Sequence, residues 1–134
     1  MQSGLALWGL SDFAAARRRL ESALALARAL DLPAAPGTAP ARSAGASVAA
    51  RALNHLGRMN IDQGQYAEAR RNCQEGVRIA QTADDQPALI NLLFDLAYIA
   101  LLERSDDLAA ENAQQCLDLA RALDDRFAIA QAAN

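Results

Sequence analysis

One histidine, two cysteines and three pairs of adjacent aspartates are the residues through which this chain could bind a metal or move a proton. A zinc site or a hydrolytic triad needs an imidazole with a thiolate or carboxylate partner at ligand spacing. His55 has no such partner, so its expected role is surface or packing. Cys73 and Cys116 could form one disulfide at most, fewer than small secreted disulfide-dependent domains usually carry. Helical spacing puts both at interior positions, as reduced, buried thiols. Asp84-Asp85, Asp106-Asp107 and Asp124-Asp125 each fall at an expected helix boundary, where capping and the helix dipole account for acidic residues without catalysis. The region around Gly37 and Gly45 lacks the lysine and the strand of a phosphate-binding loop. The chain is therefore expected to be no enzyme, with no catalytic residue, no metal site and no cofactor.

The elements that position these residues are helical. Apolar residues make up 52% of the 134 residues but aromatics only 4%. Much of the apolar share is alanine, the best intrinsic helix former, which implies thin side-chain layers. One domain of this length buries roughly two thirds of its unfolded surface, enough to fold without staples. A formal net charge of −3 and a pI near 5.0 argue against nucleic acid as a partner. The densest basic run, Arg17-Arg18-Arg19, fans around a helix and reads as a solvated face. No stretch approaches the ~18 apolar residues of a membrane span, and the N-terminal apolar run has no basic leader. The expectation is a soluble, cytoplasmic chain without membrane contact.

Internal similarity sets the architecture. QTADD, ending at Asp85, and RALDD, ending at Asp125, are forty residues apart. At that offset Leu53, Leu56, Gly57, Ala69 and Ala80 fall on Leu93, Leu96, Ala97, Ala109 and Ala120. An earlier copy aligns when Phe13 is set against Tyr66 and Ala16 against Ala69. The extra residues of that copy are Pro33–Gly45, PAAPGTAPARSAG, whose three prolines and two glycines suggest an inserted loop. Within each unit apolar residues advance by threes and fours, so each unit is two helices. The expected helices run near 2–10, 12–31, 47–63, 66–83, 87–103, 107–124 and 126–134. Small residues such as Gly57 and Ala69 let paired helices approach closely, because side-chain size at the contact sets interaxial distance.

The order Leu53, Leu56-Gly57, Gly64-Gln65-Tyr66 and Ala69 resembles the tetratricopeptide repeat, a helical hairpin with a large residue, Leu-Gly, Gly-x-Tyr and Ala at set spacings. The third copy keeps Leu93, Leu96-Ala97 and Ala109 but has Arg104 and Asp106 where glycine and tyrosine are usual. The resemblance implies an all-α, right-handed α-solenoid of about three repeats with truncated ends. As a single domain, 1–134 would divide into a partial first repeat at 1–32, an inserted loop at 33–45, repeats at 46–85 and 86–125, and the start of a further helix at 126–134. Forty-residue copies with endings such as ALALARALD also resemble repeat regions of large bacterial ATP-binding transcriptional regulators of the LuxR-like class.

The tetratricopeptide resemblance further implies a concave groove lined by the first helix of each unit. Its positions here are Trp8 in the first unit, Asn54, Arg58 and Ile61 in the second, and Asn91, Phe94, Tyr98 and Leu101 in the third. Such a surface suits a hydrophobic peptide, an amphipathic helix or another part of the same polypeptide, with Arg58 available to a carboxylate. The expected function is a non-catalytic scaffold that binds a protein or peptide segment within a larger signalling or transcriptional regulator. Self-association, as a homodimer, and small-molecule sensing are the alternatives.

Overall fold

A computed structural model describes residues 2–30 and 39–132 of the chain, all-α, in five helices. In order these are α1 (Gln2–Leu30), α2 (Ala39–Asp62), α3 (Tyr66–Ala83), α4 (Gln86–Leu102) and α5 (Asp106–Ala132). Each packs on its neighbour in sequence, and α2 also meets α4. The result is a stack of hairpins in which α4 lies across the α2–α3 pair.

The two inner hairpins turn the same way. After α2, the amides of Gln63, Gly64 and Gln65 donate to the carbonyls of Met59, Ile61 and Asn60 at 3.1, 3.0 and 2.8 Å. Forty residues on, Glu103, Arg104 and Ser105 donate to Ile99, Leu101 and Ala100 at 2.9, 3.1 and 2.8 Å. The turn needs a left-handed residue, which Gly64 supplies at φ 75° and Arg104 at φ 64°. A side chain there costs about 1–2 kcal/mol, so the missing glycine strains the third copy without changing its path. Between α3 and α4, Asp84 takes the left-handed cap at φ 53° and Asp85 accepts a hydrogen bond from the Ala88 amide at 3.2 Å. Pro87 opens α4, where its absent N–H has no intrahelical role.

Alanine, glycine and leucine build the core. Ala50, Ala69, Cys73, Ala80 and Leu92 have no exposure, and Leu53, Leu56, Leu89, Leu93 and Ile99 close around them. Each large aliphatic side chain removed from water contributes about 1.5–3 kcal/mol. The close approach of α2 and α3 is measurable at Gly57, where an added Cβ would lie 2.5 Å from Cys73 Sγ. Gly76 makes the matching approach to α4, its added Cβ falling 2.7 Å from Leu92 Cδ2.

Three expected breaks are absent. The chain is continuous helix from Gln2 to Leu30, with no interruption near residue 11, because Ser11 and Asp12 are weak helix formers but not breakers. Residues 39–45 belong to α2 rather than to an inserted loop. Pro40 lies in the first turn, where proline is tolerated, and alanines follow it; residues 31–38 lie outside the described residues. At the other end α5 runs through Asp124-Asp125 to Ala132, so 126–132 extend α5 and do not start a new helix. Phe127 stands where Pro87 stands one repeat earlier, and without proline nothing forces the helix to stop.

Candidate partner-binding groove

The surface shared by α2 and α4 is built around a buried carboxylate. Asp95, 4% exposed, is the sole charged residue in α4 and sits at the repeat position of His55. Its Oδ2 accepts from Asn54 Nδ2 and from Arg58 Nε at 3.2 Å. Burial pushes the Asp95 carboxyl above the ordinary carboxylate range, while Arg58 and Asn54 pull it back. Removing either partner would leave a buried charge less compensated, so the triad locks α4 on α2 in one register. A parallel contact at the edge of the surface joins Arg51 Nε to Asp85 Oδ2 at 3.4 Å.

Above this triad lies a cleft of about 340 Å³ lined by Arg58, Ile61, Asp62, Phe94, Asp95 and Tyr98. The Arg58 side chain is half exposed, with Nε held by Asp95. Holding one edge of a guanidinium reduces the rotamer freedom a ligand carboxylate would otherwise have to freeze. Phe94 at 61% and Tyr98 at 46% are far more exposed than aromatic side chains of a folded interior. Single exposed apolar residues are ordinary, but contiguous ones mark contact surfaces.

The positions expected to line a groove therefore divide. Arg58, Ile61, Phe94 and Tyr98 converge on this cleft. Asn54 is buried and committed to Asp95 rather than offered to a ligand. Asn91 is exposed outside it. Leu101 lines a second cleft, and Trp8 is on α1 with a side chain outside the described residues. Asp95 was missed by reading the spacing of groove positions alone. Its signal was present: one carboxylate inside ALINLLFDLAYIALL has no place in an apolar helix unless a partner waits for it.

The second cleft, about 430 Å³, lies at the open end of the stack between α4 and α5 and has no charged side chain in its lining. Phe94 and Tyr98 border both clefts. The thiols lie apart from any reactive arrangement. Burial, with a smaller contribution from Asp95, pushes Cys73 up to about 12, and a thiol so held is a packing group. Cys116, partly exposed beside the second cleft, donates to the Ile90 carbonyl at 3.4 Å and is also raised by burial. Arg17 departs from the solvated face expected of its run, since its Nη2 donates to Asn60 Oδ1 and Gln63 Oε1, both at 3.0 Å. Among the described residues no His, Cys, Asp or Glu side chains group to hold a metal, and no helix is long and apolar enough to cross a membrane.

A stack of helical hairpins with a partly apolar face between first helices defines a helical-repeat protein. The family model for the tetratricopeptide repeat matches residues 48–122, and the chain belongs to that family. Its repeats generally mediate protein–protein interaction, typically as scaffolds rather than catalysts. Comparison with curated proteins and with solved structures returned no match.

Proposed function

We propose that the α2–α4 surface receives a protein segment carrying an apolar or aromatic residue next to a carboxylate. Phe94, Tyr98 and Ile61 supply the apolar wall, and Arg58 faces the carboxylate. The supporting observation is the pairing of exposed aromatics with a guanidinium already held by a buried acid. A bidentate arginine contact gives direction, and the aromatic wall gives most of the contact area. The repeat units at 46–85 and 86–125 would act as the coupling part of a larger regulator, in keeping with the resemblance to LuxR-like repeat regions. The same wall serves a segment of that larger polypeptide as well as one from a separate protein.

Selection of peptides from a random display library tests this. The unsubstituted chain is expected to enrich peptides with an aromatic or aliphatic residue beside Asp, Glu or a C-terminal carboxylate. Arg58→Ala is expected to lose the acidic preference, and Arg58→Ala with Tyr98→Ala to lose enrichment while helicity is retained. Enrichment of the same peptides by the double variant would exclude this surface.

A further inference from the structure

Helices α3 and α5 both pack on α4 and, among the described residues, do not meet each other. The gap between them is a trough of about 440 Å³, within the ~300–1,000 Å³ range of preformed small-molecule sites. Its floor is α4, where Leu93, Leu96 and Ile99 are buried. One wall runs from Arg70 to Arg78 on α3, a length of about 12 Å at the helical rise. Arg70 Nη1 donates to both carboxylate oxygens of Glu103, at 2.5 and 2.7 Å, and this pair stops one end. Arg78 lines the other end and has no ion-pair partner among the described residues.

One repeat earlier, α1 and α3 flank α2 in the same way. There Arg17, the counterpart of Arg70, donates to Gln63, the counterpart of Glu103, at 3.0 Å. The far ends differ. Arg28 Nη2 on α1 meets Glu75 Oε1 on α3 at 2.5 Å, an ion pair from wall to wall. Leu24 packs with Leu53 and Leu56, the counterparts of Leu93 and Leu96. In the later trough Gln81 stands in place of Arg28, Gln115 in place of Glu75, and the smaller Val77 in place of Leu24. The earlier trough therefore contains its own carboxylate and a full aliphatic cover. The later one has neither, yet it keeps a cation, since Arg78 lies one helical turn from Gln81.

We infer that the α3–α5 trough binds a free aliphatic carboxylate, its head group between Arg78 and Gln115 and its chain laid over Leu93 and Leu96 toward Ile99. The ligand supplies what Glu75 and Leu24 supply one repeat earlier. A guanidinium and a side-chain amide both donate to a carboxylate, and the charged donor makes the stronger bond. Among the described residues no aromatic ring lines the trough, so nothing there rewards a stacked ring over a saturated chain. The Arg70–Glu103 stop suits one short chain and keeps a polypeptide from running through.

Titration with octanoate, followed by backbone-amide NMR, tests this. Saturable shifts are expected on α3 from Gln74 to Arg78 and on α5 from Asn112 to Gln115. Octanol, with the same chain and no charge, is expected to bind at least about fivefold more weakly. Arg78→Gln is expected to bring octanoate down to the octanol level. Asn112→Trp, which fills the trough from its rim, is expected to abolish binding of both with helicity unchanged. No saturable shift up to about 10 mM octanoate, undiminished binding by Arg78→Gln, or shifts confined to Arg58, Phe94 and Tyr98 would each overturn the inference. Those three residues do not border this trough, so failure here leaves peptide capture through Arg58 untouched.

Discussion

The α2–α3 and α4–α5 hairpins are two versions of one design in different surroundings. In the first, Gly57 faces Cys73, while in the second Ala97 stands at the place of Gly57 and Ala113 at that of Cys73. A glycine with a larger partner and a pair of alanines occupy the same repeat positions, and the close approach of α2 and α3 is expected to depend on their total volume. The surroundings then set burial. Cys73 and Gly76 are sealed by α4, whereas Ala113 is exposed and Cys116 partly so. Equivalent residues are core in one hairpin and surface in the other, because a repeat completes its core only with a neighbour.

This contrast can be broken experimentally. Leu92→Ala, at a fully buried site between the hairpins, is expected to cost about 3–4 kcal/mol in denaturant unfolding. Leu117→Ala on the open face is expected to cost less than about 1 kcal/mol under dilute conditions, in line with its smaller burial. Gly57→Ala pushes a methyl against Cys73 Sγ and is expected to cost about 1–3 kcal/mol despite alanine's higher helix propensity. Combining it with Cys73→Ala recreates the alanine pair of the other hairpin and is expected to recover most of that loss. No recovery would refute the volume argument.

The turns offer a smaller, two-signed comparison. Arg104→Gly is expected to stabilise the chain by about 0.5–1 kcal/mol and Gly64→Ala to destabilise it by about 1 kcal/mol, because both positions are left-handed. Equal effects of one sign would contradict the shared turn.

The two hairpins were legible in the sequence to different depths. The forty-residue offset, the alanine-lined contacts and the Asp84-Asp85 cap could be read directly, since each depends on local residue type and spacing. The helix at 39–45 and the continuity of α5 could not. Proline and glycine in PAAPGTAPARSAG suggest a break, but Pro40 falls where a helix accepts it. Repeat phase suggests a boundary at Asp125, but Phe127 lacks the backbone constraint of Pro87. At the candidate site, spacing selected Arg58 and Tyr98, whereas the commitment of Asn54 to Asp95 depends on a contact between helices far apart in sequence.

The Asp95 triad makes the smallest predicted effect, a tilt in pH dependence. Burial raises its carboxyl, so the native chain keeps this proton at pH values where the unfolded chain has lost it. Its contribution is therefore most favourable below the unfolded value and is lost as pH rises through the native one. Asp95→Asn is expected to flatten that part of the stability profile, and an unchanged slope would assign it to other groups.

The difference between a sealed hairpin and an open one is tested most directly by amide hydrogen exchange on the unsubstituted chain. Amides of α5 from Cys116 to Ala132 are expected to exchange faster than those of α2 from Leu53 to Asn60 and of α3 from Ala69 to Ala80. Protection in α5 equal to that in α2 and α3 would contradict the account, because cover by a neighbouring helix would then make no difference.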